Sequence, residues 1–245
     1  MITWFDAFIG LVAIVAGGIA AVTGFGIGSL LTPALAMATG TKLAVAAIAV
    51  PHALGTAARF WMLRRHVDRR VLLGFGVASA AGGLVGALIH SRFTSGALAV
   101  VFGGLLILAG VSELTGWMRR VEWGRGAAWV LGALSGLLGG LVGNQGGIRS
   151  AALLGFRVSK ESLVATATAV GLFVDAARLP VYIATSGREM IALWPVIAVA
   201  TGGVLLGTVV GTPVLRRLPR AVFSRVIGMV LVALGLYMAL TAGGA

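Results

Sequence analysis

Cysteine is absent from this 245-residue chain, which excludes disulfides, thiolate metal sites and thiol catalysis within it. Charge is almost as scarce. Only 11% of the residues are charged, where a soluble domain carries roughly 25%, and just 7 are acidic. No run of about ten residues alternates polar and apolar, so a membrane-spanning barrel is excluded. Zinc proteolysis needs a His-Glu-x-x-His cluster, and none exists. Ser135-Gly136 could supply a nucleophile, but all three histidines precede it and no supporting motif surrounds any of them. These gaps argue against an intramembrane enzyme and give no site for a metal or cofactor. Residues 1–6 carry no lysine or arginine, so the first apolar segment does not read as a cleaved secretory signal.

What the chain has instead is apolar length. Hydrophobic residues make up 59% of it and the mean hydropathy is +1.04. The apolar runs at 43–63, 71–89, 97–117, 162–184, 191–211 and 221–240 each match the ~20 residues that cross ~30 Å of hydrocarbon. The fold class expected is an all-α integral membrane protein in the cell (inner) membrane, with eight apolar segments. The formal charge of +12 then describes basic cytoplasmic loops, not a nucleic-acid surface.

Residues 24–59 align with 143–178 at a constant offset of 119, without a gap. Gly24 falls on Gly143, Gly28 on Gly147, Val45 on Val164, and Ala57-Ala58-Arg59 on Ala176-Ala177-Arg178. Arginine is rare in such segments, so the Arg59–Arg178 match carries most of the weight. Two repeats are expected, 1–120 and 121–245, each a broken apolar segment followed by three full helices.

Basic residues orient them. If all eight segments crossed, the loops would hold eight basic residues on each side, with no bias. If the segment near 127–156 enters and leaves on one side, the count becomes thirteen inside against Lys42, Arg92 and Arg188 outside, as the positive-inside rule requires. Matched loops also swap charge: the basic loop at 64–70 corresponds to the poor one at 185–189. The second repeat is therefore expected to be inverted relative to the first. The charge count does not separate a hairpin at the first break, giving six crossings and an outer N-terminus, from a crossing segment, giving seven and an inner one.

The breaks are rich in glycine and polar groups. The first holds Thr23, Gly24, Gly26, Gly28 and Ser29; the second holds Gly143, Asn144, Gln145, Gly147, Arg149 and Ser150. Glycine at this density unwinds a helix, and irregular backbone at membrane depth persists only where protein buries it or it lines a cavity. A helix that starts there presents unpaired N–H groups and the positive end of its dipole, which suits an anion. Arg149 adds a permanent charge. The competing use of such glycines is close helix packing.

The pattern Gly-x-Gly-x-Gly-x-x-x-x-Pro-x-Leu from Gly24 to Leu35, its echo from Gly143 to Leu154, and Asp175-x-x-Arg178-x-Pro180 together resemble the sulfite exporter TauE/SafE family. The second copy departs from the first, with Gln145 where glycine is common and Ala152 opposite Pro33. The resemblance implies a secondary transporter that exports sulfite, an organosulfonate or a related sulfur-containing anion without ATP. Alternating access about a midplane site between the breaks is the expected mechanism; an anion channel lined by the same breaks is the alternative. The expected partners are a small anionic solute and the lipid bilayer, with the chain a monomer or a homodimer.

Four further residues qualify for gating or coupling. Arg59 sits near the loop-facing end of its segment, where snorkelling is its plainer use. Arg178 has Asp175 at i−3 and can pair with it. His52 titrates in a range suited to exchange of a proton, which leaves coupling to a proton or another ion open, although a histidine bonded across the bundle is the simpler reading. His66 and His90 fall in loops and receive no role.

Because the chain lacks cysteine, single-cysteine labelling tests this topology directly. Cysteines placed near Arg65, Arg120, Lys160 and Arg217 should all be protected from an impermeant external reagent; labelling at 160 and 217 would contradict the inverted arrangement.

Overall fold

The computed structural model describes residues 3–119, 125–143, 146–154, 156, 159–215 and 219–244, and all regular structure among them is helical. The helices are α1 (Trp4–Thr23), α2 (Ile27–Thr39), α3 (Thr41–Leu63), α4 (Arg69–His90), α5 (Ser95–Thr115), α6 (Arg125–Val142), α7 (Gly146–Leu154), α8 (Lys160–Ala192), α9 (Trp194–Leu215) and α10 (Arg220–Thr241). Among the described residues six are long and apolar enough to cross a membrane, and Ile27–Thr39, Trp129–Val142 and Trp194–Val210 form shorter apolar stretches. The chain is an all-α, multi-pass membrane protein.

Local chemistry sets the ends. Thr3 and Asp6 form a reciprocal capping box at the start of α1, with Thr3 N donating to Asp6 Oδ2 at 2.7 Å and Asp6 N to Thr3 Oγ1 at 3.2 Å. The cap accounts for this otherwise isolated acid. Thr94 and Ser159 cap α5 and α8 with their hydroxyls alone, each accepting a backbone N–H.

The α3 and α8 spans are the most enclosed, 61% and 56% buried against 22–44% for the other four, so they form the centre. Around them α1 packs on α9, α4 on α6, and α5 on α10. Glycines make these contacts close. Gly136 and Gly140 of α6 lie under the carbonyls of Ser79 and Gly83, and a Cβ at either would sit 1.9 Å from oxygen. Gly207 lies as close to the Ile14 carbonyl. On α5 and α10, Gly103 faces the Gly235 carbonyl and Gly110 the Gly228 carbonyl, a Cβ at each falling 2.6 Å away. With no hydrophobic drive between helices in lipid, such backbone approach is what joins them.

These contacts also give direction. Gly10 with Gly203 and Ile14 with Gly207 make α1 parallel to α9; Ser79 with Gly136 and Gly83 with Gly140 make α4 parallel to α6; the α5–α10 pairs are antiparallel. Two faces follow. One holds the turn into α4, where Asp68 N donates to Thr166 Oγ1 at 3.0 Å, beside the basic residues Arg64, Arg65, Arg69 and Arg70. The opposite face holds the start of α3, where Lys42 Nζ donates to Ser91 O at 2.6 Å. α1 begins at this second face, and α2 ends there beside Ser95, so the first broken segment is a hairpin and not a crossing. α6 begins at the basic face, and α7 returns toward it, with Leu153 and Phe156 packed near Val71.

Two substitutions separate packing glycines from free ones. Gly104 has nothing within 4 Å of an added Cβ, whereas Gly110 meets backbone. Gly104→Ala should leave the thermal unfolding midpoint in detergent unchanged or raised, alanine being the better helix former by about 0.8–1.0 kcal/mol. Gly110→Ala should lower it by several degrees, and equal shifts would contradict this packing.

Candidate functional site

Both breaks turn on a left-handed glycine. Gly24 (φ 82°) and Gly143 (φ 76°) end α1 and α6, and each N–H returns to the carbonyl four residues back, Ala20 at 2.9 Å and Gly139 at 3.0 Å. Gly26 (φ 127°) completes the first turn. Thr23 Oγ1 lies 2.9 Å from Ile19 O and 2.6 Å from Phe25 O and accepts from Phe25 N, so this hydroxyl closes its own break. Ser29 is buried. The two breaks touch: a Cβ at Gly28 would stand 2.6 Å from Gly143 O, so backbone meets backbone at this glycine. Asn144 and Gln145 lie outside the described residues. Of Gly147 and Ser150 only their place at the start of α7 is described.

Beside the breaks, α3, α7 and α8 bring charge together. Asp175 is the hub. Arg178 donates Nε to Asp175 Oδ1 at 3.0 Å, with Nη2 2.8 Å from the same oxygen. His52 Nδ1 lies 2.7 Å from Oδ2, and since a carboxylate only accepts, the ring donates. The histidine is thus bonded across the bundle. Arg59 Nη2 donates to Thr56 Oγ1 at 3.1 Å.

Arg59 is 4% exposed and Arg149 3%, so neither reaches an interface by snorkelling. Nε and Nη1 of both guanidinium groups are buried without a hydrogen-bond partner. Their charges lie within electrostatic range: Arg149 repels Arg59, and Asp175 attracts both. Gly171 makes room for the second of them, since a Cβ there would fall 2.8 Å from Arg149 Nη1. The arrangement is a buried cationic centre with one carboxylate, already occupied, and open N–H donors on two arginines.

The same helices hold the end of α6. Three successive carbonyls in its last turn accept from side chains: Gly139 from Arg178 Nη1 at 2.8 Å, Gly140 from the Tyr182 hydroxyl, and Leu141 from His90 Nδ1 at 2.7 Å. The Gly140 and Leu141 carbonyls would otherwise be orphans of a helix ending inside the membrane, and Gly139 O, already accepting from Gly143 N, takes Arg178 as a second donor. His90 therefore does not belong to a loop. It is 1% exposed at the end of α4, with its ring centroid 5.0 Å from that of Tyr182. Sequence reasoning missed Tyr182 and His90 as supports of the break; Tyr182, one turn beyond Arg178 in an apolar helix, was the available signal. His66 is exposed in the turn after α3.

The buried pair gives a stability test. Asp175→Asn leaves Arg178 without its counter-charge and should destabilise the protein by about 3–5 kcal/mol. Adding Arg178→Gln should recover much of that loss in thermal unfolding, and a double variant weaker than the single one would contradict the pairing.

A family model described as Sulfite exporter TauE/SafE matches residues 9–238. No curated protein and no solved structure matches the chain.

Proposed function

Since the chain belongs to the sulfite exporter TauE/SafE family over residues 9–238, we propose that it is a secondary transporter exporting sulfite, an organosulfonate or a related small sulfur-containing anion, held against Arg59 and Arg149. One observation carries this: the open donors on two buried guanidinium groups. Burying a charged donor without a partner costs several kcal/mol, and an anion is the group that removes the cost. Arginine suits the oxygens of a sulfonate or sulfite because its planar fork presents several N–H groups at once.

The helix arrangement supports alternating access. The hairpins enter from opposite faces and meet at Gly28 and Gly143. Exchanging residues 1–120 with 121–245 maps α1–α9 onto α6–α4 and leaves α3–α8 and α5–α10 paired with themselves, the pattern of two inverted repeats. The basic face is cytoplasmic and the membrane the inner one. Enclosure of both arginines favours a carrier that opens to one side at a time over a standing pore. The His52–Asp175 contact sets a titratable ring beside the bound charge, which supports coupling of export to a proton.

Purified protein should be stabilised against heat by sulfite or an organosulfonate. Arg149→Ala should abolish that stabilisation and Arg149→Lys restore it in part. Gly171→Ala should fold, because only the far end of the Arg149 side chain must move, yet lose most of the binding. Binding unchanged in all three would remove Arg149 from the site.

A further inference from the structure

The cationic centre has a definite charge, and the comparison of its halves shows why. At the offset of 119, Arg59 corresponds to Arg178 and Thr56 to Asp175. Both arginines bond the residue three positions earlier on their own helix: Arg178 bonds Asp175, and Arg59 bonds Thr56. The geometry is shared and the charge is not. On α8 the guanidinium faces a carboxylate, whereas on α3 it faces a hydroxyl, which leaves it without a carboxylate partner of its own. Arg178 is occupied a second time by the Gly139 carbonyl; Arg59 Nε and Nη1 have no partner.

Arg149 belongs to neither pair. Its position corresponds to Leu30, so this third arginine has no counterpart in the first half, and Gly171, against which it lies, corresponds to His52. Among the described residues the buried arginines are Arg59, Arg149 and Arg178, and the buried carboxylates are Asp6 and Asp175. Asp6 is engaged by Thr3 at the far end of α1. His52, donating to Asp175, brings no negative charge. Three arginines against one carboxylate leave two positive charges in the centre.

A low-dielectric site with two uncompensated positive charges is satisfied by two negative ones. Resting on the anion-binding reading above, we propose that the site selects dianions over monoanions, and that Thr56, by standing where the other half has Asp175, sets this valence. The ligand class is a small oxyanion carrying two negative charges, whether on one sulfur-oxygen head or divided between a sulfonate and a carboxylate. A monoanion leaves one guanidinium unanswered and binds more weakly.

The test uses the full chain in detergent, with affinities measured by titration calorimetry at fixed ionic strength. The probes are sulfate and sulfoacetate as dianions and methanesulfonate as the monoanion with a similar head. For the parent, a dianion should bind about tenfold or more tighter than methanesulfonate, as expected for one extra charge contact in a partly buried site. Thr56→Asp gives Arg59 the counter-charge that Arg178 has and should abolish or reverse that preference. Thr56→Asn, which changes the side chain without adding charge, should keep the ratio even if all affinities fall. Arg59→Gln removes the same charge by another route and should also collapse the preference, so the idea stays testable if the aspartate variant does not fold. Equal affinity of the parent for sulfate, sulfoacetate and methanesulfonate would overturn the dianion inference while leaving anion binding standing. A dianion preference that survives Thr56→Asp would overturn the role of Thr56. No binding of any of the three by the parent would overturn both this inference and the functional reading beneath it.

Discussion

Positive charge that cannot leave the bundle is the constraint around which this protein is organised. Lipid supplies no water to solvate a guanidinium, so each buried arginine must find an answering group or bear a cost of several kcal/mol. Arg178 finds Asp175 and the Gly139 carbonyl, and in doing so fastens α8 to the end of α6. Arg59 and Arg149 keep open donors in the same region. One arginine therefore holds the broken helix in place, while the other two keep the open donors that the proposed solute would meet.

The breaks depend on the same arrangement. A helix that stops inside the membrane leaves carbonyls that need donors, and α6 has them from Arg178, Tyr182 and His90 on two neighbouring helices. Gly143 then turns the chain in a conformation that only glycine adopts at low cost, and its carbonyl lies against Gly28 of the other break. Backbone meets backbone there without a side chain between. The glycines outside the breaks do similar work along α1–α9, α4–α6 and α5–α10, where carbonyls lie close enough to exclude a methyl group.

Much of this was legible in the sequence, and the physical reason is periodicity. Apolar runs of membrane length, glycine clusters that interrupt them and the match of Arg59 with Arg178 are local signals readable along one strand of text. The hairpin form of the first break was not legible, because the two alternatives differ in the side of residues 1–6, which carry no lysine or arginine; the parallel contact of α1 with α9 decides it. His90 read as a loop residue since it closes a helix beside Ser91 and Arg92, and only the fold turns its ring inward to Leu141. Arg59 likewise lies within a turn or so of Arg64 and Arg65, which suggested an interface, yet it is buried on a helix that packs against α8. The Thr56–Asp175 exchange was present in the aligned repeats all along. It acquired meaning once both arginines were seen to bond the residue at i−3.

The solute anion is proposed to answer both Arg59 and Arg149. The most direct measurement is an experimental structure of the protein soaked with selenate or selenite, whose selenium is located by anomalous scattering. A selenium peak is expected between α3, α7 and α8, with oxygens within hydrogen-bond distance of both guanidinium groups. A selenium site elsewhere in the bundle, with Arg59 and Arg149 bonded to protein groups instead, would contradict it.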